Sequence, residues 1–321
     1  MRSKILVTGA TGFIGRCLVD RLVGQGTYEI KLALRSKAKL PIDILDQCTA
    51  IEIGNLDGDT HWEVPLKGVD VVVHLAARAH VLNDRAEDPR QAFLETNFYG
   101  TRQLAKIASE CGVKRFVYIS SIGVNGSQTE IEKPFTELDE PQPHNAYAKS
   151  KWEAEQALRE ISEKSGMEFV IVRPPLVYGK DAPGNFAQLL KLVSSGVPIP
   201  LGAVQNQRSL VALDNLVDFI EVCCIHPKAA NQVFLVSDGE DISTLNLIDG
   251  IAQSIGRKVH MVAVPLWLLN IGAAMLGQRA AVQRLCGNLQ LDISKANDVL
   301  GWMPKFSVRE GLRRATEGWR R

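Results

Sequence analysis

Residues 1–15 read MRSKILVTGATGFIG, and this stretch decides the fold. Ile5, Leu6 and Val7 are a short apolar run, as expected of a strand buried on both faces. Gly9, Gly12 and Gly15 follow three apart, and beyond them Phe13, Ile14, Cys17, Leu18 and Leu22 recur at helical spacing. Strand, glycine turn and helix together present backbone N–H groups and a helix N-terminus to a pyrophosphate. A glycine triplet can also serve a plain tight turn. Its position directly after a first strand is what points to a nucleotide.

Working outward, strand-like runs recur at Ile30–Leu34, Ala50–Ile53, Val69–Leu75, Arg115–Ser120, Phe169–Arg173 and Gln232–Val236, with helical patterns such as Arg90–Cys111 and Ala146–Ser165 between most of them. Apolar strands alternating with helices predict an α/β fold, a doubly wound parallel sheet covered on both faces, with ligands at the carboxyl ends of its strands. After Pro174–Pro175 the rhythm weakens. Residues 1–174 are therefore read as the dinucleotide-binding domain, with returns near 205–240, and 175–321 mostly as a smaller substrate-binding lobe that closes over the cofactor.

The 321 residues can bury a large core, and a net charge of +1 gives no field that would draw nucleic acid or a membrane surface. The six cysteines show no C-x-x-C, and most lie in apolar runs, as buried thiols in a reducing compartment would. No signal peptide is visible, so a cytoplasmic location is expected. The histidines form no metal-like pair, so no metal is expected. The longest apolar stretch, Val262 to Leu276, contains Pro265, Asn270 and Gly272. It is too short for a transmembrane segment and reads as a strand end plus a buried helix, with a peripheral membrane or partner contact as the alternative.

The second strand ends at Leu34-Arg35-Ser36-Lys37. Arg35 stands twenty residues after Gly15, where an acidic residue would hold the ribose 2′-hydroxyl of NAD. A carboxylate there repels a 2′-phosphate and an arginine pairs with one, so Arg35, with Lys37 or Lys39, argues for NADP(H) over NAD(H). A solvated basic loop is the competing reading. Gly54-Asn55-Leu56-Asp57 follows the third strand, where Asn55 and Leu56 suit adenine. The fourth strand ends in His74-Leu75-Ala76-Ala77, whose small residues let a dinucleotide lie close to the backbone. His74 itself reads as a packed strand residue.

Ser120-Ser121 closes the fifth strand, and Tyr147-Ala148-Lys149-Ser150-Lys151 comes twenty-six residues after Ser121. With Asn145 as a helix cap, Tyr147 and Lys151 stack one turn apart on one helix face. A free tyrosine, with a pKa near ~10, is a poor base at neutral pH. A nearby ammonium is expected to lower it. Ser121, Tyr147 and Lys151 thus form a candidate proton-transfer set for alcohol–ketone interconversion beside a nicotinamide.

The ordered segments GATGFIG, HLAA, TNFYGT, YISS, YAKSK and RPPLVYG resemble the extended short-chain dehydrogenase/reductases, in the nucleotide-sugar epimerase/dehydratase branch, over essentially the whole chain. The resemblance implies a Rossmann-type sheet in which Gly9, Thr11, Gly12, Phe13, Ile14 and Gly15 line the pyrophosphate. It implies that Asn97 holds the active-site helix, that Lys151 contacts the nicotinamide ribose, that Tyr147 is the acid/base, and that Pro174, Leu176 and Val177 adjoin the nicotinamide. Asn55 and Arg35 depart from the acidic residues usual in NAD-dependent members. Gln207-Arg208-Ser209 is similar to the family segment whose arginine binds a sugar-nucleotide diphosphate. Asn185-Phe186 resembles the partner that meets the diphosphate and base, and Arg279 or Arg284 would give a second phosphate contact. Leu300-Gly301-Trp302-Met303-Pro304 resembles a closing structural motif. The family usually forms homodimers, through helices matching Arg90–Cys111 and Ala146–Ser165.

Ser121 is followed by Ile122-Gly123, where the family's dehydratases carry an acidic pair, so dehydration is disfavoured. Reduction of a 4-keto sugar and 4-epimerisation remain, both on a UDP-sugar substrate. Arg35 favours a UDP-4-keto-6-deoxy-hexosamine 4-reductase, and the segment from Val264-Pro265 to Asp292 and Lys295 resembles reductases of that kind from surface-polysaccharide synthesis. The alternative is a UDP-glucose or UDP-N-acetylglucosamine 4-epimerase. A reductase of non-nucleotide carbonyls and a non-catalytic NADPH-binding protein are further alternatives.

Overall fold

The computed structural model describes residues 2–36, 44, 46–79, 88–275 and 279–319, and no side chain over 279–281. Lys37, Lys39 and the side chain of Arg279 therefore lie outside the described residues. The strands β1 (Lys4–Thr8), β2 (Glu29–Leu34), β3 (Thr49–Glu52), β4 (Val71–His74), β5 (Arg115–Ile119), β6 (Glu168–Arg173) and β9 (Gln232–Leu235) form one sheet in the order β3-β2-β1-β4-β5-β6-β9. Every neighbouring pair is parallel.

Alternation along the strands divides the core into two layers. Ile5, Val7, Val73, Val117 and Val172 face helix α1 (Phe13–Gln25) and the helix Leu213–Ile225. Leu6, Val72, Phe116, Tyr118 and Ile171 face the helices Gly100–Glu110 and Ala146–Ser165. The sheet reverses order between β1 and β4. A crevice opens there, outside the carboxyl ends of the strands, where such folds take ligands.

A second sheet joins β7 (Leu176–Tyr178), β8 (Arg208–Ala212) and β10 (Asp241–Ile242) in the order β10-β8-β7, over a separate apolar cluster that includes Phe186, Leu190, Ile248 and Leu312. These three strands are not foreseen in the sequence, because runs this short among glycines and prolines carry almost no periodicity. Tyr178 anchors the region. Its hydroxyl donates to Asp238 Oδ2 at 2.7 Å, while Asp238 Oδ1 accepts from Ala212 N at 2.8 Å and from Asn215 Nδ2 at 2.7 Å.

One expectation is overturned. The Val262–Leu276 stretch does form a helix, Leu266–Met275, but the helix is not buried. Trp267 is 65% exposed and Met275 84%, and Leu266, Leu268 and Ile271 are exposed as well. Its apolar residues run all round the axis, so packing one side leaves the others in water.

Candidate active site

The glycine turn is built for close approach. Gly9 adopts φ +71°, a left-handed conformation that favours glycine, and a Cβ there would stand 2.7 Å from Ala76 N. A Cβ on Gly15 would stand 2.1 Å from Gly9 O, so helix and strand could not pack as they do. Gly12 caps α1 without a side chain, and no acidic residue occupies the first turn, which leaves the helix N-terminus open to an anion. Thr11 turns its carbonyl to Arg16 Nε at 3.0 Å. Phe13 and Ile14 pack into the core from the start of α1. This cradle fits the pyrophosphate of a dinucleotide.

Across the crevice, β4 ends in His74, which is fully buried. Its Nδ1 is hydrogen-bonded with Thr8 Oγ1 at 2.6 Å and its Nε2 with Thr101 Oγ1 at 2.9 Å. Burial and the Lys151 charge push its pKa down to about 3, so the ring is neutral. Thr8 Oγ1 also accepts from Ala76 N at 3.2 Å, and Leu75 N donates to Thr8 O at 3.3 Å. These bonds hold the Leu75-Ala76-Ala77 backbone against the glycine turn. At the far edge, Arg35 is exposed at the carboxyl end of β2, and Asn55 is exposed beyond β3 while Leu56 is buried.

Asn97 lies in a π-helical turn, Leu94–Tyr99, where the extra residue re-aims a side chain inward. Its Oδ1 accepts from Arg78 N at 2.7 Å, and its Nδ2 donates to Arg78 O at 3.1 Å and Ser150 Oγ at 3.0 Å. It thereby ties the segment after β4 to the helix that carries Tyr147 and Lys151. Asn145 caps that helix, accepting from Ala148 N at 2.8 Å.

Ser121 begins the 3-10 turn after β5, with its Oγ accepting from Gly123 N at 3.1 Å. The Ser121 hydroxyl acts on the Tyr147 phenol and favours its charged form. Burial pushes the Tyr147 phenol up to about 12, and the Ser121 hydroxyl draws it back only in part. The lowering by Lys151 expected from helical spacing is thus not realised: desolvation of the phenolate outweighs it. Lys151 is 2% exposed, its Nζ 4.2 Å from the centre of the Tyr118 ring. Burial lowers its pKa to about 7, opposed by the Glu155 charge.

Glu155 continues the Tyr147–Lys151 stripe by one more helical turn, and sequence reasoning missed it. Its carboxylate accepts from Arg173 Nε at 3.0 Å and Nη2 at 2.6 Å, both groups being buried. Ser120 Oγ donates to the same carboxylate, and Arg173 Nη1 donates to Asn125 Oδ1 at 2.9 Å. One buried cluster therefore joins the tip of β5, the end of β6 and the Tyr147 helix. The available signal was the i, i+4, i+8 spacing of Tyr147, Lys151 and Glu155, which puts all three on one face.

Pro174 O accepts from Ile122 N at 3.0 Å, and Val177 is half-buried in β7. On the substrate side, Arg208 is half-buried at the start of β8 and donates from Nη1 to Gly287 O at 2.8 Å. Arg284 is exposed on the helix Arg279–Cys286, three residues before Gly287. Asn185 is exposed at the start of the helix Asn185–Ser195, whereas Phe186 turns into the core against Tyr178.

The model of the NAD dependent epimerase/dehydratase family matches residues 5–237. A UDP-glucose 4-epimerase of Vibrio cholerae is 43% identical over 320 residues, spanning 99% of this chain and 96% of that protein. An N-acetyl-alpha-D-glucosaminyl-diphospho-ditrans,octacis-undecaprenol 4-epimerase of Escherichia coli O157:H7 is 27% identical over 334 residues, spanning 99% and 95%. Among solved structures, the UDP-glucose 4-epimerase of Thermotoga maritima with UDP-glucose superposes with a TM-score of 0.77 at 24% identity, covering 98% of this chain and 97% of that one. That likeness concerns the fold.

Proposed function

Because this chain belongs to the NAD dependent epimerase/dehydratase family, we propose that it is a UDP-hexose or UDP-hexosamine 4-epimerase. The observation that carries the proposal is the full-length, 43% identity to a UDP-glucose 4-epimerase, which supports epimerisation better than the 4-keto reduction first suggested by Arg35. When bound, a dinucleotide supplies a hydride acceptor and donor at C4 of the sugar.

The chain's own residues handle the proton and the geometry. Tyr147 Oη takes the proton of the C4 hydroxyl as C4 becomes a carbonyl, and gives it back to O4 as the alcohol re-forms. Ser121 shares its hydroxyl between that phenol and the sugar oxygen. Lys151, with a pKa near neutral, holds a positive charge beside the phenolate for as long as the proton is away. Burial pushes the phenol up to about 12, so the form that accepts a proton needs a cation beside it, and Lys151 on the same helix face is the residue that can supply one. Arg208, dry on one side and held by Gly287 O, is suited to a diphosphate. Asn185 and Arg284, with Arg279 by sequence alone, complete the proposed substrate set.

The test is to incubate the protein with UDP-glucose or UDP-N-acetylglucosamine, without added nicotinamide nucleotide, and follow the C4 epimer by NMR. Interconversion, lost in Tyr147→Phe, is the expected result. A second reading keeps its own observation: Arg35 at the end of β2 favours NADP(H), the cofactor of a reductase that turns over with a free pool. Stoichiometric consumption of NADPH with a UDP-4-keto-6-deoxy-hexosamine, and no epimer from either UDP-sugar, would establish that reading instead.

A further inference from the structure

Residues 250–291 contain no aspartate or glutamate, although the whole chain balances 36 acidic residues against 37 basic ones. The same stretch carries Arg257, Lys258, Arg279 and Arg284, together with His260. Between the two basic pairs runs the exposed apolar segment described above. Val262, Leu266, Trp267, Leu268, Ile271 and Met275 are each more than 40% exposed. Before it in the chain Arg257, Lys258 and His260 are exposed, Arg257 also donating from Nη1 to Ser194 O at 2.6 Å, and after it Arg284 is exposed.

An apolar surface of this extent in a water-facing helix calls for a cover. A stretch of chain without carboxylates, with cations at both of its ends, selects that cover by charge, because an acyl-chain layer beneath anionic headgroups matches both features at once. The helix Leu266–Met275 has ten residues, and among the described residues no helix is long and apolar enough to cross a membrane, so the match is to a surface. Pro265 opens the helix and Trp267 stands on its first turn, the amphipathic ring type that settles at the headgroup level. Between this helix and Arg279–Cys286 lies an open groove of about 780 Å³, lined in part by Leu266, Ile271, Met275 and Val282.

We propose that the exposed Leu266–Met275 helix, with Arg257 and Lys258 before it and Arg284 after it, is a membrane-surface docking element that seats in the acyl-chain border of an anionic lipid bilayer. Gly287, whose carbonyl holds Arg208, follows three residues after Arg284. Docking therefore sets the C-terminal face of the molecule against the bilayer, with the glycine turn and the Tyr147 helix on other elements. The inference does not depend on which sugar is turned over.

The experiment is flotation of the full-length protein with vesicles of phosphatidylglycerol and phosphatidylethanolamine, and separately with phosphatidylcholine alone. The wild type is expected to float with the anionic vesicles, at least tenfold more than with the neutral ones, and to be released as salt is raised. Trp267→Ser combined with Ile271→Ser should lower the bound fraction at least tenfold, with turnover of soluble substrate and the thermal melt unchanged. Lys258→Glu should lower it severalfold while leaving the apolar helix intact. Wild type that stays with neither vesicle, or a double variant that floats like wild type, overturns the proposal. So does a dimer in sedimentation that the double variant turns into a monomer without any lipid binding, since the cover would then be a second copy of this chain.

Discussion

Two charged regions of this molecule solve opposite problems. At the carboxyl tips of β5 and β6, Glu155, Arg173, Asn125 and Ser120 are buried and bonded to one another, so their charges and dipoles are satisfied inside the protein. Between Arg257 and Met275 the exposed side chains are cationic, polar or apolar with no acid among them, and Arg284 beyond is exposed as well. The first arrangement fixes geometry, because each member has one position in which all its bonds are made. The second is held through its backbone and the Arg257–Ser194 bond, while its exposed apolar side chains find no cover among the described residues. Precision belongs with chemistry and surplus charge with recognition.

The sharpest test of the precise region is Tyr147→Phe. It removes the proton carrier and keeps the ring, which packs edge-on to Phe93 with centroids 6.0 Å apart. Turnover should fall by about 10⁴-fold, or roughly 5 kcal/mol of transition-state stabilisation, with the melting curve unchanged. Steady-state rates and a thermal melt on the same preparation check both halves. A variant that retains a tenth of the activity would move the acid/base role elsewhere.

Next in size is Glu155→Ala. Removing one partner of a buried pair leaves Arg173 charged and uncompensated, which costs roughly 3–5 kcal/mol. Chemical denaturation should report that loss, and a Glu155→Gln variant should recover part of it by keeping a bond to Arg173. The same substitutions withdraw the charge that props up Lys151, so its titration should move below about 7. The acid limb of the pH–rate profile reads that movement, which a purely structural loss would not produce.

Lys151 itself gives a smaller effect with a definite sign. Its folded pKa, about 7, lies below the unfolded value of about 10.4, so between the two the unfolded chain binds the extra proton. Stability from this group therefore rises with pH from about 7 to 10, and the cost of burying the charge is present in full below 7. Lys151→Met should raise stability at pH 7 and remove that slope, while abolishing turnover. Denaturation at pH 6, 7.5 and 9 separates the two behaviours. An unchanged slope would mean that the ammonium is better solvated than its surroundings suggest.

The contrast between the regions also explains what was legible in the sequence. The main sheet was readable because its strands are continuous apolar runs set between helices of clear periodicity. The glycine turn was readable because three glycines carry a steric requirement that no other residue meets. Tyr147 and Lys151 were found by spacing along one helix. Arg173 was not, since it meets Glu155 only through the packing of the Ala146–Ser165 helix on β6, and no local pattern encodes a contact eighteen residues away across two elements. The tyrosine's pKa was read with the wrong sign for a related reason: sequence shows the neighbouring charge but not the burial that outweighs it. The Leu266–Met275 helix was assigned correctly as helix and wrongly as core, because hydrophobicity tells how much surface wants cover and not whether the chain supplies it.

Arg35 tests the boundary between the two regimes, being an exposed charge at the rim of a precise site. If it pairs with a 2′-phosphate, its guanidinium does so in water-accessible surroundings, where such a contact contributes about 1 kcal/mol. Arg35→Ala should then weaken NADPH binding roughly fivefold and leave NADH binding within a factor of two, as read by nucleotide fluorescence titration. The preference should shrink further as salt rises, because a solvent-exposed pair is screened over about 8–10 Å. Equal losses for both nucleotides would show Arg35 acting on the shared adenosine half, and the case for a phosphate-selective rim would rest on no residue among those described. A loss confined to NADPH would instead make the rim the one part of the dinucleotide site whose specificity is set by surface charge, against an interior that accepts either cofactor through backbone groups alone.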